Sequence, residues 1–144
     1  MTHGHYDHYS PQDVERVSGD HTWLVAPPAV AAYNTSKRDE DGRPFHPREA
    51  GCVGFDLNVK GERLYHAGDT DVIPEMDSVV GVDVALLPVS GTYVMTAAEA
   101  AEAARRIQPA VAVPMHWGEH IGTREDAEEF AERAPVEVRI MEPV

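Results

Sequence analysis

Apolar and polar residues alternate at two places along the chain, and both patterns predict β-strands. The alternation over 53–59 is typical of a half-buried strand, and the Lys-Gly pair at 60–61 supplies a turn after it. Residues 63–67 then return as the second strand of a hairpin. A similar alternation over 136–140 predicts a last strand near the end of the sequence.

Short apolar runs and helix caps predict the remaining elements of the second half. The runs at 83–88 and 110–114 each end in proline and favour buried strands. A capping box at 96–99 begins an alanine-rich helix that ends before Pro109, and a second box at 123–126 begins another helix. The pattern predicts helices packed on a mostly antiparallel or mixed sheet, in an α/β or α+β architecture.

The first third of the chain is less regular. A capping serine followed by proline predicts a helix over 10–19, and an apolar run predicts a short strand over 22–26. Residues 34–51 are rich in charge, glycine and proline, which indicates a long surface loop that is functional or disordered. The length of 144 residues fits one domain over 1–144.

The sharpest chemical signal lies near the first residue, where four metal-ligating side chains occur within six positions: His3, His5, Asp7 and His8. In an extended segment, side chains two residues apart share a face, so His3 and His5 can bind one ion. A turn into the following helix would bring Asp7 and His8 toward a second ion. The alternative is an artificial histidine cluster, but the interleaved aspartate and the helix cap argue against it.

Two further segments place ligand types directly after predicted strands. Asp69 follows the hairpin strand and could bridge two ions through its two carboxylate oxygens. His66, three residues earlier, is better interpreted as a hydrogen-bonded core histidine. His116 follows the strand at 110–114. A lone histidine there can be structural, but together with the other two segments it would supply the missing ligand for a second ion.

Composition excludes several classes of function. Twelve basic and 25 acidic residues give a net charge of −13, which repels phosphate backbones and disfavours nucleic acid as a partner. The single cysteine, Cys52, suits a reducing cytoplasm. No apolar run is long enough to span a membrane, and no signal-peptide pattern opens the sequence. The acidity favours either a salt-loving cytoplasm or simply a soluble acidic protein.

The three ligand-bearing segments, in their order along the chain, resemble those of the metallo-β-lactamase superfamily. His3, His5, Asp7 and His8 match its H-x-H-x-D-H motif, and a G-D-T element and a late histidine also match, at Gly68-Asp69-Thr70 and His116. The sequence is most similar to the branch of ascorbate-6-phosphate lactonase-like hydrolases. The resemblance implies an αβ/βα sandwich, here expected to be truncated and incomplete in its N-terminal half because the first motif begins at Thr2.

The resemblance also implies the ligand set of two divalent ions, with zinc favoured and iron or manganese as alternatives. The first ion would be bound by His3 and His5, the second by Asp7, His8 and His116, with Asp69 bridging. A third histidine is needed on the first ion, and His46 is our choice, with His66 and Asn34 as alternatives. Asp7 and Asp69 are the implied catalytic residues.

The implied function is a binuclear metal-dependent hydrolase. A metal-bridged hydroxide would cleave an ester, lactone or phosphoester bond of a small-molecule substrate. The alternative is a truncated, catalytically inactive remnant that binds metal or associates with itself. In that case strands without neighbours would expose edges through which a homo-oligomer could form.

Overall fold

The structure is a computed structural model that describes residues 2–3, 12, 15–16, 19, 28–118 and 120–142. Within these residues, six strands form one sheet in which each strand neighbours the next along the chain. The strands are β1 (Ala29–Ala31), β2 (Val53–Val59), β3 (Glu62–His66), β4 (Val84–Pro88), β5 (Val111–Met115) and β6 (Glu137–Val138).

The sheet is mixed, as the sequence pattern predicted. β1, β2 and β3 pair antiparallel, whereas β3 to β6 pair parallel. Lys60 and Gly61 both adopt positive φ, at 56° and 95°, which is the conformation that a two-residue hairpin turn requires. The predicted strand over 136–140 is shorter than expected, because only Glu137–Val138 pairs with β5.

The helices α1 (Ala97–Ile107) and α2 (Arg124–Arg133) pack against the parallel part of the sheet. Each begins with the predicted capping box, at Thr96 for α1 and at Thr123 for α2. α1 packs against β4 and α2, and its buried face consists mostly of alanine, which lets the backbones approach closely. Phe130 of α2 is fully buried in the same core. No helix in the described part of the chain is long and apolar enough to cross a membrane.

The predicted loop over 34–51 contains only a short 3-10 helix, Arg48–Ala50, and one isolated bridge. Its description as a surface loop is wrong at two positions, because Asn34 and His46 are buried. The backbone N–H of Asn34 donates to the carbonyl of His46 at 2.8 Å, which closes the loop at its base. The elements predicted over 10–19 and 22–26 lie largely or wholly outside the described residues.

Candidate metal site

Asp69 lies in the turn directly after β3, and the backbone of that turn sits tightly against β2. Gly68 has φ of 68°, and a Cβ placed there would lie 2.6 Å from the carbonyl oxygen of Val53. Only glycine avoids both the strain and the collision. The G-D-T element therefore positions the Asp69 carboxylate against the sheet.

The carboxylate of Asp69 lies at the centre of three imidazoles. Its Oδ2 lies 3.3 Å from His46 Nε2 and 3.7 Å from His3 Nε2. Its other oxygen, Oδ1, lies 3.4 Å from His116 Nε2. The two oxygens therefore face different histidines, two on one side and one on the other.

His3 and His46 form the more buried side of the cluster. Their rings pack edge to face, with centroids 5.0 Å apart and planes at 79°. His3 is tied to the sheet through its neighbour, because the N–H of Val53 donates to the Thr2 carbonyl at 2.9 Å. One ligand atom from each of His3, His46 and Asp69 lies within 4.8 Å of the others. Imidazole and carboxylate donors at this spacing fit a divalent ion such as zinc, iron or manganese.

His116 lies on the more accessible side, at the end of β5. Its side chain is 19% exposed, compared with 3% for His3 and 3% for His46. Its backbone is left-handed, with φ of 57°, which is costly for a residue with a Cβ. Gly122 supports this conformation, since a Cβ there would lie 2.6 Å from the His116 carbonyl oxygen. The loop after β5 therefore packs directly on the His116 backbone.

The imidazoles shape the acidity of the central carboxylate. Burial by itself raises the pKa of Asp69, because it disfavours the charged form. The hydrogen bond from His46 and the charges of His116 and His3 outweigh burial, so the pKa lies below its ordinary value. Asp69 is therefore ionised at neutral pH, as a metal ligand must be.

The structure brings together four of the seven predicted ligands: His3, His46, Asp69 and His116. The other three, His5, Asp7 and His8, lie outside the described residues. Of the alternatives to His46, His66 accepts a hydrogen bond at Nδ1 from the N–H of Gly68, at 3.1 Å. Asn34 contacts His46 itself.

Two further residues support His46: Asn34, which was predicted only as an alternative ligand, and Asp71, which was not predicted. Asn34 Oδ1 lies 3.1 Å from His46 Nδ1, and the Asn34 amide nitrogen donates to Asp71 Oδ1 at 3.1 Å. Asp71 is almost fully buried and accepts several further hydrogen bonds from residues 35–37. The only sequence signal for Asp71 was its place two residues after Asp69.

Comparisons with known proteins identify the family of the chain. The Beta-lactamase superfamily domain matches residues 1–116. A UPF0173 metal-dependent hydrolase from Aeropyrum pernix is 44% identical over 111 residues, which cover 69% of this chain and 46% of that relative. One from Symbiobacterium thermophilum is 40% identical over 95 residues, which cover 62% of this chain and 42% of that relative. The matched part thus spans less than half of each of these two relatives.

A solved structure shows the same fold. The crystal structure of a protein from Parabacteroides distasonis, named as a metal-dependent hydrolase, superposes with a TM-score of 0.78 and 31% identity. The match covers 100% of this chain and 75% of that one. Together with the family match, which covers most of the sequence, this shows that the chain belongs to the metallo-β-lactamase superfamily.

Proposed function

We propose that the chain acts as a metal-dependent hydrolase that binds a divalent ion on each side of Asp69. The observation that carries this proposal is the division of the carboxylate: Oδ2 faces His46 and His3, whereas Oδ1 faces His116. A carboxylate that presents its two oxygens to separate sets of imidazoles is suited to bridging two ions. Two ions about 3.5–4 Å apart are a common arrangement in hydrolytic enzymes.

The proposed ligands divide between the two ions in the same way as the oxygens of Asp69. The first ion would take His3, His46 and Asp69 Oδ2, and the second would take His116 and Asp69 Oδ1. The motif near the first residue supplies the remaining donors, with His5 assigned to the first ion and Asp7 and His8 to the second. Zinc is the ion we expect, because imidazole and carboxylate donors match its preferences.

The residues of the site contribute binding, charge and access. When bound, the two ions would lower the pKa of a water molecule to near neutrality and polarise the bond under attack. Asp69 supplies negative charge between them and stays ionised in its buried position. The low exposure of His3 and His46 keeps bulk water from one side, so substrate would approach from the side of His116.

An ester, lactone or phosphoester of a small molecule is the substrate class that we propose. The relatives with the same core are named as metal-dependent hydrolases, which supports the reaction type. The net charge of −13 disfavours a nucleic-acid polymer, whereas bound cations would reverse the local field for a small anion.

The test is turnover of three generic probes by the zinc-loaded chain: a p-nitrophenyl ester, a simple lactone and bis-p-nitrophenyl phosphate. We expect hydrolysis of at least one probe, its loss on chelation, and its recovery on adding zinc back. Asp69→Ala should abolish it, whereas Asp77→Ala, which removes an exposed carboxylate paired with Arg106, should not. Turnover by the Asp69→Ala variant with all metal chelated would overturn the proposal, and so would absence of turnover on every probe.

A further inference from the structure

We propose that Asn34 and Asp71 are positioning residues that hold the His46 ring through a hydrogen bond donated by Nδ1, so that Nε2 points to Asp69. The role of Nε2 as a ligand rests on the proposed function, but the hydrogen bond from Nδ1 does not. All three residues are buried, with 6%, 1% and 2% exposure for Asn34, Asp71 and His46. Their hydrogen bonds are therefore not exchanged freely with water.

The orientation of the Asn34 amide follows from its partners. The side-chain nitrogen lies 3.1 Å from Asp71 Oδ1 and 2.9 Å from the carbonyl oxygen of Tyr93. Both of these atoms can only accept, so the NH₂ group must face them. The amide oxygen then faces His46, where it accepts from the backbone N–H at 2.8 Å.

The hydrogen on His46 Nδ1 follows in turn. Nδ1 lies 3.1 Å from Asn34 Oδ1, an atom that carries no hydrogen. Nδ1 must therefore be the donor, because two lone pairs would otherwise face each other. The other ring nitrogen, Nε2, lies 3.3 Å from Asp69 Oδ2 and is thereby aimed at the proposed first ion. A hydrogen bond donated by the ring nitrogen that does not bind the metal commonly fixes a histidine ligand in this way.

Asp71 holds Asn34 in place by organising the start of the loop. Its Oδ2 accepts from the backbone N–H groups of Thr35 and Ser36, each at 2.7 Å. Its own N–H donates to the carbonyl of Tyr33 at 2.9 Å. Asp71 thus fixes the backbone on both sides of Asn34 as well as its amide group.

One turn therefore controls both nitrogens of His46. Asp69 faces Nε2 directly, and Asp71, two residues later, controls Nδ1 through Asn34. A displacement of this turn would move both partners of the imidazole together.

The first test follows the Nδ1–H of His46 by ¹⁵N NMR of the histidine-labelled full-length chain. We expect the wild type to show an Nδ1–H signal that exchanges slowly with water, because this hydrogen is buried and bonded to Asn34. Asn34→Ala removes the acceptor, so exchange should become fast and the signal should be lost. Asp71→Asn presents an NH₂ group to the Asn34 amide, which should rotate it and produce the same loss. It also serves as the second variant if Asn34→Ala does not fold.

The second test measures zinc affinity by competition with a chromophoric chelator. Loss of such a supporting partner typically weakens metal binding about 10–100-fold, which is the effect expected for Asn34→Ala and Asp71→Asn. Asp56→Asn is the matched control: it weakens the partly buried ion pair between Asp56 and Arg63 in the hairpin and should leave zinc affinity unchanged.

The outcomes separate the two proposals. If His46→Ala loses zinc but the Asn34 and Asp71 variants keep both zinc affinity and the protected Nδ1–H, the positioning proposal is wrong and the proposed function stands. If His46→Ala binds zinc as tightly as the wild type, the assigned ligand set is wrong, and the Nδ1–H measurement still decides the role of Asn34. A wild-type ring without a hydrogen on Nδ1 would overturn the positioning proposal directly.

Discussion

His116 Nε2 lies 3.4 Å from Asp69 Oδ1, the carboxylate oxygen that does not face His46. The two histidines are far apart in the sequence and have different surroundings: His46 is a buried residue of the loop over 34–51, whereas His116 directly follows β5. Asp69 is the residue that joins them. The proposed two-ion site depends on this division of one carboxylate between two sides.

The left-handed backbone of His116 should depend on Gly122. A Cβ at Gly122 would lie 2.6 Å from the His116 carbonyl oxygen and 2.8 Å from Ser90 Cβ. We expect Gly122→Ala to destabilise the fold by about 1–3 kcal/mol, through strain and collision together. It should also weaken zinc binding, because His116 must shift. Urea unfolding and zinc titration of the same preparation would measure both effects.

Gly42→Ala provides the matched control for this prediction. Gly42 also has positive φ, at 79°, but a Cβ there would meet no heavy atom within 4 Å. This variant should be destabilised only by the backbone strain, and it should keep its zinc affinity. Equal zinc affinity in the two variants would show that Gly122 does not support the position of His116.

Glu75 should contribute stability that is lost in acid. A hydrogen bond from its own backbone N–H, with further help from Tyr33 and Arg48, holds the pKa of Glu75 below its ordinary value despite partial burial. A lowered pKa stabilises the fold above the unfolded-state value of about 4.3, and this contribution disappears as the pH falls through the lower, folded-state pKa. Glu75→Gln should therefore flatten the acid side of the stability profile, measured by urea unfolding at a series of pH values.

An exposed glutamate gives the comparison for that profile. Glu62 on β3 is exposed, and Glu62→Gln removes the same charge without the contacts to Tyr33 and Arg48. If both variants changed the acid side equally, general charge rather than the Glu75 contacts would be responsible.

The strong net charge predicts a stabilising effect of salt. With a net charge of −13, self-repulsion opposes the compact state. At about 1 M KCl the Debye length falls to about 3 Å, so this repulsion is largely screened. We expect the free energy of unfolding to rise between low and high KCl. A fall over the same range would argue against an adaptation to high salt.

Elements that depend on local sequence were predictable. The hairpin turn at Lys60-Gly61 and the capping boxes at Thr96 and Thr123 are encoded by residues within a few positions of each other, and all three are present. The strand near 136–140 was overpredicted, because alternation cannot show how far a partner strand extends.

The support of the site was not predictable in the same way. His46 was chosen from the family resemblance, since a histidine before a proline in a charged loop carries no signal of its own. The contacts of Asn34 reach 12 residues to His46 and 37 residues to Asp71. They exist only because the loop folds back onto the G-D-T turn. No local sequence pattern indicates this long-range contact.

The number of zinc ions bound per chain, measured by elemental analysis after dialysis, tests the central claim most directly. We expect close to two ions in the wild type, the loss of a different ion in His46→Ala and in His116→Ala, and the loss of both in Asp69→Ala. His120→Ala, which removes an exposed histidine, should retain both. No bound zinc in the folded wild type, or an unchanged number in Asp69→Ala, would contradict the account.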